Sequence, residues 1–179
     1  MPIYTYGQTA LRKPTVEIDN TYPNLKDLVA NMFDTVVHAD GCGLAAPQVG
    51  LSIRLFVVDA TLLEEDYPEC KDFKKAFINP KITALSEETS TYSEGCLSLP
   101  GINEKVVRPK SLTITYYDEQ FVQHTEQYDN FAARIILHEY DHLEGHVFTD
   151  RISPIRKQLV NGKLRRIQDK KFSCRYKTK

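Results

Sequence analysis

The chain has 179 residues, of which 41% are hydrophobic and 26% are charged, with a formal net charge of -1. A chain of this length can bury a core without disulfides, so we expect one domain over residues 1–179. No apolar run approaches the roughly 18 residues that cross a bilayer, and the N-terminal segment lacks the basic and apolar regions of a secretory signal. These features argue against a membrane or secreted protein and predict a cytoplasmic one with no membrane contact.

The charges and the cysteines are unevenly distributed. Residues 156–179 hold ten Lys or Arg and one Asp, a local charge of +9 against -10 for the rest of the chain. The four cysteines are widely spaced with no C-x-x-C pattern, so we expect reduced thiols rather than a disulfide framework.

The first regular element is an amphipathic helix. Its apolar residues recur at helical spacing: Leu25, Leu28, Val29, Met32, Phe33, Val36 and Val37. The helix is expected to stop at "HADGCG", where the glycines can adopt left-handed geometry.

Short β-rich runs follow from residue 53 to about residue 125. They are "IRLFVVDA", "KAFINPKI", "KVVRPKSLTITYYD" and "QFVQHTEQY", separated by Asp, Glu, Pro and Gly. These runs predict antiparallel strands. Within "SLTITYY", Leu112, Ile114 and Tyr116 alternate with polar positions, which indicates a half-buried hairpin.

Two further helices close the chain. One is expected to begin after Asp129 or Asn130 and to run to Gly145, and the other begins at Ser153 and Pro154. The predicted apolar stripe of the last helix is Ile155, Leu159, Val160, Leu164 and Ile167, and "FSCRYKTK" after it predicts a frayed tail. The expected fold class is α+β, with antiparallel β-sheets packed around the central helix and a basic C-terminal helix and tail over residues 153–179.

The central helix carries "LHEYDHLEGH", which indicates a metal site. His138 and His142 lie on one helix face with Cβ atoms about 5–6 Å apart, so two imidazoles can reach one ion. Glu139 lies about 100° further round the helix and can address a water on that ion.

The identity of the third metal ligand distinguishes the possible classes of metal site. The metzincin pattern requires histidine at position 148, which is Phe148, and a thermolysin-like site requires a downstream carboxylate, but Asp169 is the only acid after Asp150. The remaining strong donor is Cys96, in an expected tight Glu-Gly-Cys turn within "YSEGCLSLPG". One thiolate and two imidazoles leave a coordination position open, as catalytic sites do.

A third stretch, "GCGLAAPQVG", completes the pattern. Gly41 and Gly43 let the backbone approach a ligand, and Gln48 offers an amide donor. In order, G-x-G-x-A-A-P-Q, E-G-C-x-S and H-E-x-x-D-H resemble the peptide deformylase family, and the similarity extends over essentially the whole chain. One departure is Leu137, where the family usually has Gln.

The resemblance implies a metal-dependent hydrolase that removes the formyl group from the N-terminal formyl-methionine of nascent polypeptides in a bacterium. Cys96, His138 and His142 would hold one divalent ion with water as its fourth ligand, Fe2+ by family habit, with Zn2+, Ni2+ or Co2+ as substitutes. Glu139 would be the general base and acid as that water attacks, and Gln48 with the N–H of Leu97 would stabilise the oxyanion.

Further positions are implied around this centre. Gly43 would pair with the substrate backbone, and Cys42, Phe131 and Ile135 are candidates for the methionine pocket. Glu94 and Arg108 would brace the metal ligands from outside the coordination sphere.

Two other functions stay open at this level. One is a zinc endopeptidase built on the same helix, and the other is a closed structural zinc site made by Cys96, His138, His142 and His146. The basic segment 156–179 also predicts salt-sensitive binding to the ribosome, although a solvated helix face explains the charge equally well.

Overall fold

The computed structural model describes all 179 residues. Its regular elements, in chain order, are α1 (Leu25–His38), β1 (Gly43–Ala45), β2 (Leu55–Asp59), β3 (Lys74–Leu85), β4 (Thr89–Gly95), β5 (Asn103–Pro109), β6 (Ser111–Tyr117), β7 (Gln123–Asp129), α2 (Asn130–Leu143) and α3 (Pro154–Gln168). No helix has the length and apolar character needed to cross a bilayer.

The strands form two antiparallel sheets. Five strands pair in the order β1-β2-β3-β6-β7, and β4 pairs with β5 in a separate hairpin. Side chains alternate along β2, so Phe56 and Val58 pack with α2 while Leu55 and Val57 pack with α1. The five-stranded sheet therefore lies between the two helices, and the predicted α+β class with sheets around a central helix is confirmed.

The central helix α2 begins and ends close to the predicted residues. Asp129 precedes it, but the side chain of Asp129 makes no capping bond, and the N–H of Phe131 donates instead to the Glu69 carboxylate at 2.9 Å. The helix stops at Gly145, which takes φ 73°, and the N–H of His146 donates to the Asp141 carbonyl at 2.8 Å. This is the Schellman geometry that the glycine predicted.

The end of α1 differs from the prediction. The left-handed residue is Asp40, with φ 58°, rather than either glycine. Gly41 serves close approach instead, because a Cβ there would lie 2.9 Å from a methyl carbon of Leu97. The glycine thus lets the end of α1 pack against the segment that follows β4.

Two strands, β1 and β4, were not predicted. β1 has three residues, and β4 reads "TSTYSEG", in which only Glu94 is buried. Glu94 and Gly95 therefore end a strand rather than form the predicted tight turn, and Cys96 follows directly. A strand without apolar alternation gives no period-2 signal to detect.

The stripe predicted on α3 is only half correct. Val160, Leu164 and Ile167 are buried, but Ile155 and Leu159 are 73% and 66% exposed. Ser153 caps the helix as expected, since its Oγ accepts from the N–H of Arg156 at 3.3 Å. The first turns of α3 therefore present their apolar side chains to solvent.

The prediction of a frayed C-terminal tail is wrong. Thr178 forms a parallel bridge with Ile3. The N–H of Ile3 donates to the Lys177 carbonyl, and the N–H of Lys179 donates to the Ile3 carbonyl, both at 2.9 Å. These partners lie at opposite ends of the chain, and this distance in sequence hides the pairing from a local pattern.

Asp150 connects α3 to the N-terminal segment. Its carboxylate pairs with Arg12, lies 3.1 Å from the Lys157 amine, and accepts from the N–H of Val147 at 3.0 Å. Burial alone would raise the pKa of Asp150, but the hydrogen bonds from Arg12 and from Val147 outweigh it and lower that pKa from 3.8 to about 2.

We expect Asp150→Asn to lower the free energy of unfolding by about 1 kcal/mol at neutral pH, a value reduced for solvent screening. Because the folded-state pKa is depressed, this contribution is complete above 3.8 and disappears as the pH falls to about 2. Urea unfolding across that pH range measures it, with Asp66→Asn, an exposed carboxylate without a partner, as the control. If the difference in unfolding free energy between Asp150→Asn and the native chain stayed constant down to the lowest pH, the stabilising role of the Asp150 carboxylate would be contradicted.

Candidate active site

Three metal-donor side chains converge where β4 ends beside α2. The ligand atoms of Cys96, His138 and His142 all lie within 4.8 Å of one another, and the Cys96 sulfur is 3.3 Å from Nε2 of His142. Burial lowers the pKa of His142 to about 3, an effect that His138 reinforces, so His142 is a neutral imidazole. A thiol and two imidazoles at this spacing fit one divalent ion with a position left open.

Two of the donors, Cys96 and His138, line a cleft of about 900 Å³. Most of the residues that the sequence singled out line it, namely Cys42, Gly43, Gln48, Glu94, Cys96, Leu97, Phe131, Ile135, His138 and Glu139. His142 lies behind this lining with no exposed surface, and Arg108 is buried at 3% exposure. Segments far apart in the chain are therefore brought to one place.

Gln48 is held with its amide nitrogen toward the donors. Its Oε1 accepts from the N–H of Ala45 at 2.8 Å, which fixes the side chain. Its Nε2 lies 3.6 Å from the Cys96 sulfur and 3.2 Å from the Ser98 hydroxyl. The backbone N–H of Leu97, one residue after Cys96, donates no hydrogen bond within the protein. The Leu97 N–H is therefore free for a ligand in the cleft, whereas the Gln48 amide donates to Cys96 and Ser98 within the protein.

Glu139 is a buried carboxylate without a protein partner. The residue is 4% exposed, and its Oε2 makes no hydrogen bond. Burial raises the pKa of Glu139 to about 7, although the nearby His138 opposes the shift. Gly43 makes room for this carboxylate, because a Cβ at that position would lie 2.5 Å from Oε1. An unpaired buried carboxylate beside metal donors requires a partner such as water.

Glu94 orients the first histidine. Its Oε2 lies 2.8 Å from Nδ1 of His138, which leaves the other ring nitrogen of His138 for the ion. Arg108 binds the same carboxylate through two nitrogens, at 2.6 and 2.9 Å. Burial alone would raise the pKa of Glu94, but the bonds from Arg108 and His138 hold it well below its ordinary value.

The sequence analysis did not identify three charged residues of the network around Glu94 and Arg108. Arg134 donates to Glu94 at 2.7 Å, and Asp141 joins Arg108, at 2.6 Å, to Arg151. Arg134 lies one helical turn before His138, so its place on the inward face could have been inferred from spacing. Arg151 offers no such signal, because it follows the helix in an irregular segment.

The alternatives considered from the sequence lack their required ligands. His146 is exposed and lies outside the group of donor atoms, so a closed four-ligand site is not formed. No carboxylate joins the two histidines as a third donor, and Cys96 occupies that place instead.

Part of the cleft wall is apolar. Burial raises the pKa of Cys42 to about 12, and Glu139 adds to the shift, so this thiol is neutral. Phe131 stacks on Tyr67 with ring centroids 3.9 Å apart, and Ile135 is buried. The apolar lining continues over residues that were not predicted, Leu62, Leu63, Leu99, Pro100 and Ile102.

Comparison with known proteins agrees with this geometry. The model of the polypeptide deformylase family matches residues 1–158. The chain belongs to this family of enzymes. A peptide deformylase from Flavobacterium johnsoniae is 47% identical over 100% of this chain and 95% of its own length. One from Christiangramia forsetii is 45% identical over 99% of this chain and 94% of its own length.

Solved deformylase structures share the fold. Deformylase 1B of Arabidopsis thaliana, in complex with an inhibitor, is 37% identical with a TM-score of 0.84, covering 95% of this chain and 91% of that one. The deformylase of Thermus thermophilus is 34% identical with a TM-score of 0.83, covering 96% of this chain and 99% of that one. These likenesses extend over nearly the whole length of the proteins compared.

We expect Cys96→Ser to weaken binding of a divalent ion at least about tenfold, because a hydroxyl is a poorer ligand than a thiolate. Competition with a coloured chelator, using Co2+ and Zn2+, measures the affinity. Cys174→Ser is the matched control, since Cys174 also lines the cleft but lies outside the donor group. Equal affinity in the two variants would remove Cys96 from the ligand set.

Proposed function

We propose that this protein is a metal-dependent deformylase that removes the formyl group from the N-terminal formyl-methionine of nascent peptides. The observation that carries the proposal is the convergence, in one cleft, of three metal donors, an unpaired buried carboxylate, a free backbone N–H and the side-chain amide of Gln48. Amide hydrolysis needs these parts: a place for water, a proton carrier and groups that stabilise the oxyanion.

Cys96, His138 and His142 would hold one divalent ion, and the family resemblance favours Fe2+, with Zn2+, Ni2+ or Co2+ as substitutes. Such an ion supplies Lewis-acid chemistry, lowering the pKa of a water and polarising a carbonyl oxygen. Glu94 and Arg108 serve this site indirectly, because they fix the ring orientation of His138.

Glu139 would carry the proton. Its unpaired Oε2 accepts a proton from the water that attacks the formyl carbon, and it then delivers that proton to the departing amine. The amide of Gln48 and the N–H of Leu97 donate to the formyl oxygen as it gains charge. Loss of one such donor typically costs about 3–4 kcal/mol of transition-state stabilisation.

The substrate would bind as an added strand. β1 is the outer strand of its sheet and has a single neighbour, so its other edge can pair with an extended peptide at Gly43. Cys42, Phe131 and Ile135 then offer the methionine side chain an apolar wall. A cytoplasmic site of action stays a prediction of the sequence.

The direct test measures formate from a formyl-Met peptide with protein prepared without oxygen and loaded with Fe2+, Ni2+ or Co2+. We expect turnover in the native chain and a loss of about 100-fold or more in Glu139→Ala, because a proton carrier contributes that much. Glu139→Ala should keep its ion. Glu87→Ala, which removes an exposed carboxylate that makes no side-chain hydrogen bond or ion pair, is the control.

Two outcomes would count against these assignments. Absence of formate with every ion would remove the deformylase activity, and digestion of casein instead would favour an endopeptidase. An active Glu139→Ala variant with a full complement of metal would leave the activity in place but reject Glu139 as the proton carrier.

We also propose salt-sensitive binding to the ribosome through the basic residues of α3 and the tail. Lys163 and Arg165 are exposed and make no ion pair with an acidic residue, so their charges are available to phosphates. Arg165 extends from the side of the helix away from the buried Val160, Leu164 and Ile167. Lys163 lies beside that buried face, and its amine also donates to the Gly101 carbonyl at 3.5 Å. Release of counterions from phosphates would drive such binding.

The test reverses both charges in Lys163→Glu/Arg165→Glu and compares co-sedimentation with ribosomes at low and moderate salt. We expect weaker binding than in Lys26→Glu/Lys81→Glu, which reverses two exposed charges elsewhere. Deformylation of a short peptide should not change, because none of these residues lines the cleft. Equal binding by the two variants, or binding that salt does not weaken, would reject this contact.

A further inference from the structure

The C-terminal tail forms part of the wall of the active-site cleft. Ser173, Cys174, Arg175 and Tyr176 line the same cleft as Glu139 and Gln48. The match to the family model ends at residue 158, so the tail lies beyond the part of the chain that the family pattern describes.

Contacts on both sides hold the tail in place. Beyond the cleft, its backbone pairs with Ile3 through Lys177 and Lys179, at 2.9 Å each. Within the cleft, the Tyr176 hydroxyl donates to the Leu97 carbonyl at 2.8 Å. The tail is therefore fixed beside the residue whose N–H is the proposed oxyanion donor, and it forms one side of the cleft.

Arg175 is the cation in this wall that has no partner. The other charged residues of the lining are either bonded or acidic: Arg134 is bound to Glu94, Asp59 pairs with Lys74, and Asp40 and Glu139 are carboxylates. Arg175 is exposed and makes no hydrogen bond or ion pair within the protein. A free guanidinium at the wall of a peptide cleft is suited to bind a carboxylate of the ligand.

We propose that Arg175 selects peptides with an acidic side chain downstream of the formyl-methionine, with the tail over residues 173–176 acting as a wall of the substrate cleft. This inference rests on the proposed deformylase function. The reacting formyl group lies at the donors, so the following residues of an extended peptide must continue along the cleft walls. A Glu or Asp among them would meet the guanidinium, and a Lys or Arg would be repelled by it.

The test uses formyl-Met peptides that carry either Glu or Lys at the second, third or fourth position. The readout is the ratio of kcat/KM for the Glu peptide to that for the Lys peptide at each position. In Arg175→Glu we expect this ratio to fall about tenfold at one or more positions at low salt. The reversed charge would repel the Glu peptide and attract the Lys peptide. A general loss of folded enzyme would lower both values alike and leave the ratio unchanged.

The matched control is Lys177→Glu, the same charge reversal two residues along the tail on a side chain that does not line the cleft. Arg175→Ala should give an intermediate ratio, and about 0.5 M salt should reduce the differences by screening. A ratio that changed no more in Arg175→Glu than in Lys177→Glu would overturn the inference. Formate release from the native chain in that case would show that the proposed function itself stands.

Discussion

The buried ion pair between Glu94 and Arg108 is the interaction on which the site depends. Both residues are almost fully enclosed, and the carboxylate also binds Arg134 and His138. A buried charge costs several kcal/mol unless its partners satisfy it, so an arrangement of β4, β5 and α2 that keeps all of these bonds is favoured over one that breaks them. That arrangement sets the orientation of His138, and Cys96 comes two residues after Glu94 on the same segment.

The same network accounts for the low apolar content of β4. β4 has few apolar residues, and its one buried side chain is the charged Glu94. The strand lies against the central helix because Glu94 and Ser90 accept hydrogen bonds from Arg134 and because Tyr92 packs on Phe131. Asp141 extends the network on the other side of Arg108 and binds Arg151 after the end of α2. In this region, directional hydrogen bonds and ion pairs fix the orientation of the side chains. The cores around α1 and α2 are held by apolar packing, which depends less strictly on the angle between two side chains.

The sequence predicted correctly the features that depend on residues close together along the chain. The ends of α2, the alternation of β6 and the spacing of His138 and His142 each depend on residues within a few positions of one another. The predictions were wrong where contacts between distant parts of the chain determine the structure. The tail pairs with Ile3 across nearly the whole chain, and Ile155 and Leu159 follow a helical period although no element covers them. The convergence of Cys96 with the two histidines was inferred by excluding other donors and from a family pattern.

The two ends of the chain complete the side of the cleft that carries the proposed oxyanion donors. The N–H of Tyr4 donates to the Gln48 carbonyl at 2.7 Å, and the N–H of Tyr6 donates to the Ser98 carbonyl at 2.8 Å. Ile3, just before them, pairs with the tail that carries Tyr176. One extended N-terminal segment thus holds the loop of Gln48, the segment of Leu97 and the C-terminal wall together. Oxyanion donors act only when their positions are fixed in advance, so residues far from the chemistry in sequence contribute directly to that preorganisation.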